Sequence, residues 1–119
     1  MILRFTKNIA INTRPEHTEQ AAAFYKGLGL ETQPLAEDFV VLGPAPFSCY
    51  VVCWEPQPSG QAEVALQFET DSIEEVKRRA EAQGAMVLAY GPDPHAPARR
   101  NLWFRDPQGV LINVTEMAP

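Results

Sequence analysis

The chain has 119 residues, 45% of them hydrophobic and 21% charged, with a formal net charge of −5. That length suffices for one domain with a core of its own, and the composition is that of an ordinary globular protein. The acidic balance, with no run of like charges, argues against nucleic acid as a partner, and no stretch is long and apolar enough to span a membrane.

The chain begins Met1-Ile2-Leu3-Arg4-Phe5, without the apolar region of a secretion signal, so the expected compartment is the cytoplasm. Phe5 to Thr13 alternates as a strand, with Phe5, Ile9 and Ile11 as its apolar anchors. Arg14-Pro15-Glu16 opens a helix, Pro suiting a first turn and Glu the positive end of the helix dipole. It continues through Gln20 to Lys26 and stops at Gly27 and Gly29. Leu30 to Leu35, Phe39 to Leu42 and Phe47 to Trp54 are three short strands, and Pro56 to Gly60 is a linker. Cys49 and Cys53 lie four apart in one strand, roughly 13 Å at about 3.3 Å per residue. That is too far for a disulfide, so both read as reduced thiols.

Beyond the linker the pattern restarts. Glu63 to Thr70 alternates as a strand, and Asp71-Ser72-Ile73-Glu74 resembles a capping box with Asp71 as the cap. The helix runs through Gln83, buries Ile73, Val76 and Ala80, and ends at Gly84. Met86 to Tyr90 is a strand and Gly91 to Ala98 a Pro-rich loop. Asn101 to Glu116 is a hairpin turning at Asp106-Pro107-Gln108-Gly109, with Asp opening a type I turn and Pro setting φ at its second position. On the return strand Val110, Ile112 and Val114 share one face, suited to packing under helices. Leu111, Asn113 and Thr115 share the other, suited to a cleft wall. Ile9-Ala10-Ile11 matches Val64-Ala65-Leu66 at an offset of 64 − 9 = 55, and Gly29 matches Gly84 at 84 − 29 = 55. The chain is therefore a weak repeat of a βαβββ unit.

Three stretches carry a family resemblance: Ala23-Phe24-Tyr25-Lys26-Gly27-Leu28-Gly29-Leu30, the run Glu63 to Gly84, and Phe104-Arg105-Asp106-Pro107-Gln108-Gly109. In this order they resemble the vicinal oxygen chelate superfamily, the glyoxalase/bleomycin-resistance/dioxygenase group. The resemblance implies an α+β fold in which two βαβββ modules curl into a cup-shaped mixed sheet around a ligand cavity. It places module one at about residues 1–56, a linker at about 56–61 and module two at about 62–119, all in one domain. It also implies a homodimer.

Metal-dependent members carry His, Gln or Glu in the first strand, at the start of the second module and on the last strand. Those positions hold Asn8, Glu63 and Asn113 here. Neutral amide oxygens are poor ligands for Zn, Ni or Fe, and Glu63 alone cannot hold such an ion tightly. The expectation is no metal site, a divalent ion being the disfavoured alternative. Other candidate ligand contacts are Tyr50, Trp54 and Trp103, which can stack on a flat ligand or simply pack a core. His95 sits in the Pro-rich loop and can rim a cleft or merely be exposed; Arg100 can bind an anion or shoulder a strand. Two functions follow from the resemblance. One is a metal-free protein, similar to the bleomycin-resistance branch, that binds a small molecule in a dimer-interface cavity. The alternative is a glyoxalase-type lyase or isomerase using a divalent metal, with Glu63 as general base assisted by Asn8 and Asn113.

Overall fold

The first strand of the chain proves to be two: Leu3–Phe5 (β1) and Asn8–Asn12 (β2) are separated at Thr6 and Lys7. They belong to different units of the computed structural model, which describes residues 1–43, 48–52 and 61–118, except for the side chains of Ser48 and Val51. One unit is Lys7–Val64; the other joins Met1–Thr6 to Ala65–Pro119. The expected Pro56–Gly60 linker, Cys53 and Trp54 lie outside the described residues.

The first unit has a βαβββ order. After β2 comes a 3-10 turn, Pro15–His17, then α1 (Thr18–Gly27), β3 (Thr32–Ala36), β4 (Phe39–Leu42) and β5 (Ser48–Val52). Pro15 thus opens a tight 3-10 turn. The α-helix itself starts at Thr18, whose hydroxyl donates to the Pro15 carbonyl at 3.0 Å. The strand order is β3-β4-β5-β2, with β2 and β5 parallel and the other pairs antiparallel. Ala22 of α1 packs with Val40 and Leu42, flanked by Ile11, Tyr25 and Cys49. Two of the expected anchors of the first strand are not core: Phe5 is 65% and Ile9 54% exposed, whereas Ala10 and Asn12 are 0% and 4% exposed. The period-2 alternation holds, but α1 covers only part of the Ile9–Ile11 face, and the smaller, more polar face is the buried one.

The second unit repeats the order with an added strand. It contains β6 (Glu63–Thr70, entering the unit at Ala65), α2 (Ile73–Ala82), β7 (Met86–Asp93), β8 (Ala96–Arg105) and β9 (Leu111–Glu116). β6 and β9 are parallel, β9-β8-β7 antiparallel, and β1 lies antiparallel along β6. Ile73 and Val76 of α2 pack on Leu102, Phe104, Ile112 and Val114, with Phe68, Ala80 and Tyr90 at the margin. Full burial of such side chains contributes roughly 1.5–3 kcal/mol each, so this cluster is the main apolar support of the unit.

Three local expectations change. Asp71 does not cap α2: its Oδ1 accepts from the Ile2 N–H at 2.7 Å, tying down the N-terminus, and Ser72 occupies the cap position without a side-chain bond. The Pro-rich loop is instead the tip of a long hairpin, because β7 reaches Asp93 and β8 begins at Ala96. Pro92 is tolerated there since β7 is the outer strand of its sheet. Val110 stays outside the last strand, 42% exposed. The Asp106–Gly109 turn forms as expected, with Gly109 N–H donating to the Asp106 carbonyl at 2.9 Å. The Asp106 carboxylate accepts from the N–H groups of Gln108 and Val110, and Gly109 sits at φ 94°.

Candidate ligand-binding faces

Each unit turns one sheet face to its helix and leaves the other free of it. In the second unit, Gln67, Asn113 and Trp103 are successive register partners across β6, β9 and β8, so their side chains share the face opposite α2. Asn113 is 3% and Trp103 4% exposed. Buried amides need partners, and Asn113 has two. Its Oδ1 accepts from Gln67 Nε2 at 3.1 Å, and its Nδ2 donates a long bond to the Leu102 carbonyl at 3.5 Å. Gln67 Oε1 in turn accepts from the Thr6 hydroxyl at 3.0 Å. Thr6, Gln67 and Asn113 thus form one chain of hydrogen bonds. Sequence reading singled out Asn113 and missed Gln67, though Gln67 shares the parity of Glu63 on an alternating strand.

In the first unit the corresponding face carries Asn8, Ala10 and Asn12 of β2 beside Tyr50 of β5, Val41 and Phe39 of β4. Tyr50 is half-buried, its ring tilted against Phe39 with centroids 5.1 Å apart. Asn12 stands at the repeat equivalent of Gln67, since 67 − 12 = 55. Gln67 meets Asn113 across the parallel pair; Asn12 meets Val52. A valine side chain offers no donor, and the Oδ1 of Asn12 is buried with no hydrogen-bond partner among the described residues. An orphaned buried acceptor of this kind costs about 1–3 kcal/mol. Asn12 was not among the residues singled out from sequence, because nothing in a strand pattern marks which polar side chain lacks a partner.

The remaining candidates are dispersed. Asn8 and Glu63 are half-buried, Asn8 in β2 and Glu63 as the first residue of β6. Arg100 alternates with Trp103 onto the α2 side of its strand. There its guanidinium donates to Glu116 at 2.5 Å, Glu74 at 2.8 Å and the Tyr90 hydroxyl at 2.7 Å. Glu116 first, then Glu74, hold this arginine even more firmly cationic than usual. It therefore ties helix to sheet and does not share the Asn113 face. His95 is exposed at the β7–β8 tip, its N–H donating to Asp93 Oδ1 at 2.8 Å and its Nδ1 3.8 Å from the same oxygen. The Cys49 thiol is a free one, and burial pushes its pKa up, which keeps it protonated and unreactive.

The donor set bears directly on metal binding. Among the described residues no three His, Cys, Asp or Glu side chains gather where they could hold an ion. At the three positions singled out for ligands stand one carboxylate and two amides, and the Asn113 oxygen is already engaged by Gln67. These residues do not fit a tight transition-metal centre.

Residues 9–115 match the family model of a glyoxalase-like domain. No curated protein matches the chain. Several solved structures share its fold. A hypothetical protein, BH1468, from Bacillus halodurans C-125 is 16% identical with TM-score 0.61, covering 100% of this chain and 97% of its own. A glyoxalase/bleomycin resistance protein/dioxygenase superfamily member from Vibrio splendidus is 18% identical with TM-score 0.58, covering 98% and 100%. A variant methylmalonyl-CoA epimerase from Streptomyces coelicolor, in complex with 2-nitronate-propionyl-CoA, is also 18% identical with TM-score 0.58, covering 99% and 100%.

Proposed function

Because this chain belongs to the glyoxalase-like domain family, with the α+β fold of its superfamily, we propose that it is a metal-free small-molecule-binding protein. It acts as a homodimer and takes its ligand into a cavity at the dimer interface. The observation that carries the reading is the Gln67–Asn113 amide pair. A position where a metal-dependent relative needs an open, basic ligand is here a closed hydrogen bond between neutral groups. Such a wall recognises by shape, stacking and hydrogen bonding rather than by Lewis acidity. Asn8, Tyr50, Glu63, Trp103 and Asn113 are the proposed contacts among described residues, with Trp54 as a further one from sequence. Glu63 adds a negative charge suited to a cationic ligand. His95 and Arg100 have weaker claims, one at a hairpin tip and one held in an ion-pair network.

The test has two steps. Metal-stripped protein is heated with Ni, Zn, Mn, Fe and Co in turn; no stoichiometric stabilisation is expected, and a clear one by any single ion overturns the metal-free reading. Tryptophan fluorescence is then titrated with bleomycin as an aromatic, cationic probe. A saturable change supports binding of this ligand class, and a flat titration refutes it.

A second reading draws on the structural neighbours that are epimerases and on Glu63 as the one carboxylate at the three positions. It is a lyase or isomerase with Glu63 as general base and a divalent ion as Lewis acid. It requires metal-dependent turnover that Glu63→Gln abolishes; turnover unchanged in that variant counts against it.

A further inference from the structure

On the α1 side of the first unit's sheet lies an open cavity of about 290 Å3. It is not part of the helix-free faces described above. Its walls follow from strand parity: Ile9, Ile11, Leu42 and Cys49 are among the residues of β2, β4 and β5 that point toward α1. Tyr25 of α1 and Leu30 just beyond it form the opposite side. Ile9 and Leu30 are 54% and 46% exposed, so the cavity opens to solvent between them, while Leu42 at 3% exposure floors it. The Cys49 thiol, kept protonated by burial, serves as one more apolar wall atom.

Among the described residues that line this apolar site, one is charged. Lys7 lines it, is exposed, and makes no ion pair among the described residues. Walls of Ile, Leu and Cys with a single cation at the mouth fit an amphipathic anion: the chain lies along the walls and the head meets the ammonium. The volume is at the lower end of small-molecule sites, which run from about 300 Å3 upward. That admits a short chain rather than a long lipid. We propose that this cavity is a second binding site, specific for short linear aliphatic monocarboxylates of about six carbons, with Lys7 as the carboxylate contact. Glu31, next in sequence to Leu30, is the competing charge, its carbonyl accepting from the Gly43 N–H at 2.9 Å.

Three probes of equal chain length separate the terms: hexanoate, 1-hexanol and hexylammonium, titrated into methyl-labelled protein and followed by NMR. Hexanoate should shift the methyls of Ile9, Ile11, Leu30 and Leu42 in a saturable manner and bind more tightly than the other two. Lys7→Gln, an exposed change that leaves the core intact, should weaken hexanoate by up to about fivefold, as expected of a solvent-exposed charge pair, and leave hexanol unaltered. Several results overturn the proposal. These methyls could ignore all three probes, as they would if a second copy of the chain filled the cavity. Hexylammonium could bind best, with Glu31 governing the mouth. Lys7→Gln could leave the hexanoate affinity unchanged.

Discussion

Replacing Asn12 with Val should stabilise the protein, the reverse of the usual effect of changing a buried residue. Asn12 is 4% exposed and its Oδ1 has no hydrogen-bond partner among the described residues. Removing that acceptor recovers about 1–3 kcal/mol of desolvation cost, and a β-branched residue suits the strand. Allowing for imperfect repacking, the net gain should be about 1–2 kcal/mol. For a chain of this size that corresponds to a melting temperature higher by about 4–8 °C. Urea denaturation at fixed protein concentration is the assay, with an unchanged m-value showing that stability rather than compactness moved. Asn113→Val is the matched control in the other module. It leaves Gln67 Nε2 without its acceptor and should lose about 1–3 kcal/mol. Val52→Asn, placing an amide opposite Asn12 in register, should recover part of the same energy by satisfying the orphan. A loss of stability in Asn12→Val would refute the reasoning, since it would mean that Asn12 makes a bond worth more than its burial costs.

Other perturbations test the scaffold. Arg100→Ala removes donors to Glu116, Glu74 and Tyr90; because the group is partly exposed, a small lowering of the melting temperature is expected, and a melting temperature unchanged within error would show the network to be ornamental. Hydrogen bonds from Arg78 and then Arg79 hold the Glu75 carboxyl down at about 2, against an ordinary value of 4.5. A depressed carboxylate pKa gives stability present above pH 4.5 and lost as pH falls toward 2. Unfolding at pH 5 and at pH 2.5 should therefore converge between wild type and Glu75→Gln at the lower pH and differ at the higher; equal differences at both refute the pairing. Gly109→Ala forces a side chain into φ 94° and should cost about 1–2 kcal/mol, measured by the same denaturation.

What could be read from residues alone was whatever repeats or punctuates. The βαβββ order, the Ile73–Val76 stripe under Leu102, Phe104, Ile112 and Val114, and the Asp106–Gly109 turn each depend on local spacing, and each stands in the structure. Partnership over long sequence distance was not readable. Asp71 has the neighbours of a helix cap, yet it bonds the Ile2 N–H, 69 residues away. Thr6 meets Gln67, and Gln67 meets Asn113, only because three strands fall into register. The Pro-rich segment reads as a loop from composition, but an outer strand tolerates a proline that an inner one would reject. Arg100 looks like a free anion ligand until Glu74 arrives from α2 and Glu116 from β9. The polar residues of the site are therefore legible as types and positions, while their availability to a ligand is decided by the sheet.

The placement of β1 has a consequence for the order in which the chain is made. Leu3–Phe5 pairs with Phe68–Thr70, and Phe5 stacks on Phe68 with ring centroids 4.4 Å apart. Leu3–Phe5 thus has no partner until residue 70 has emerged, after the whole first βαβββ unit has been synthesised. Until then Ile2, Leu3 and Phe5 form an unpaired apolar strand, a bare edge of the kind that invites pairing between neighbouring chains. Closing so long a loop is entropically slow but only logarithmically costly. Severing residues 1–6 should therefore leave the first unit's strands intact and expose β6 along the side where β1 lay, which predicts aggregation through the second unit.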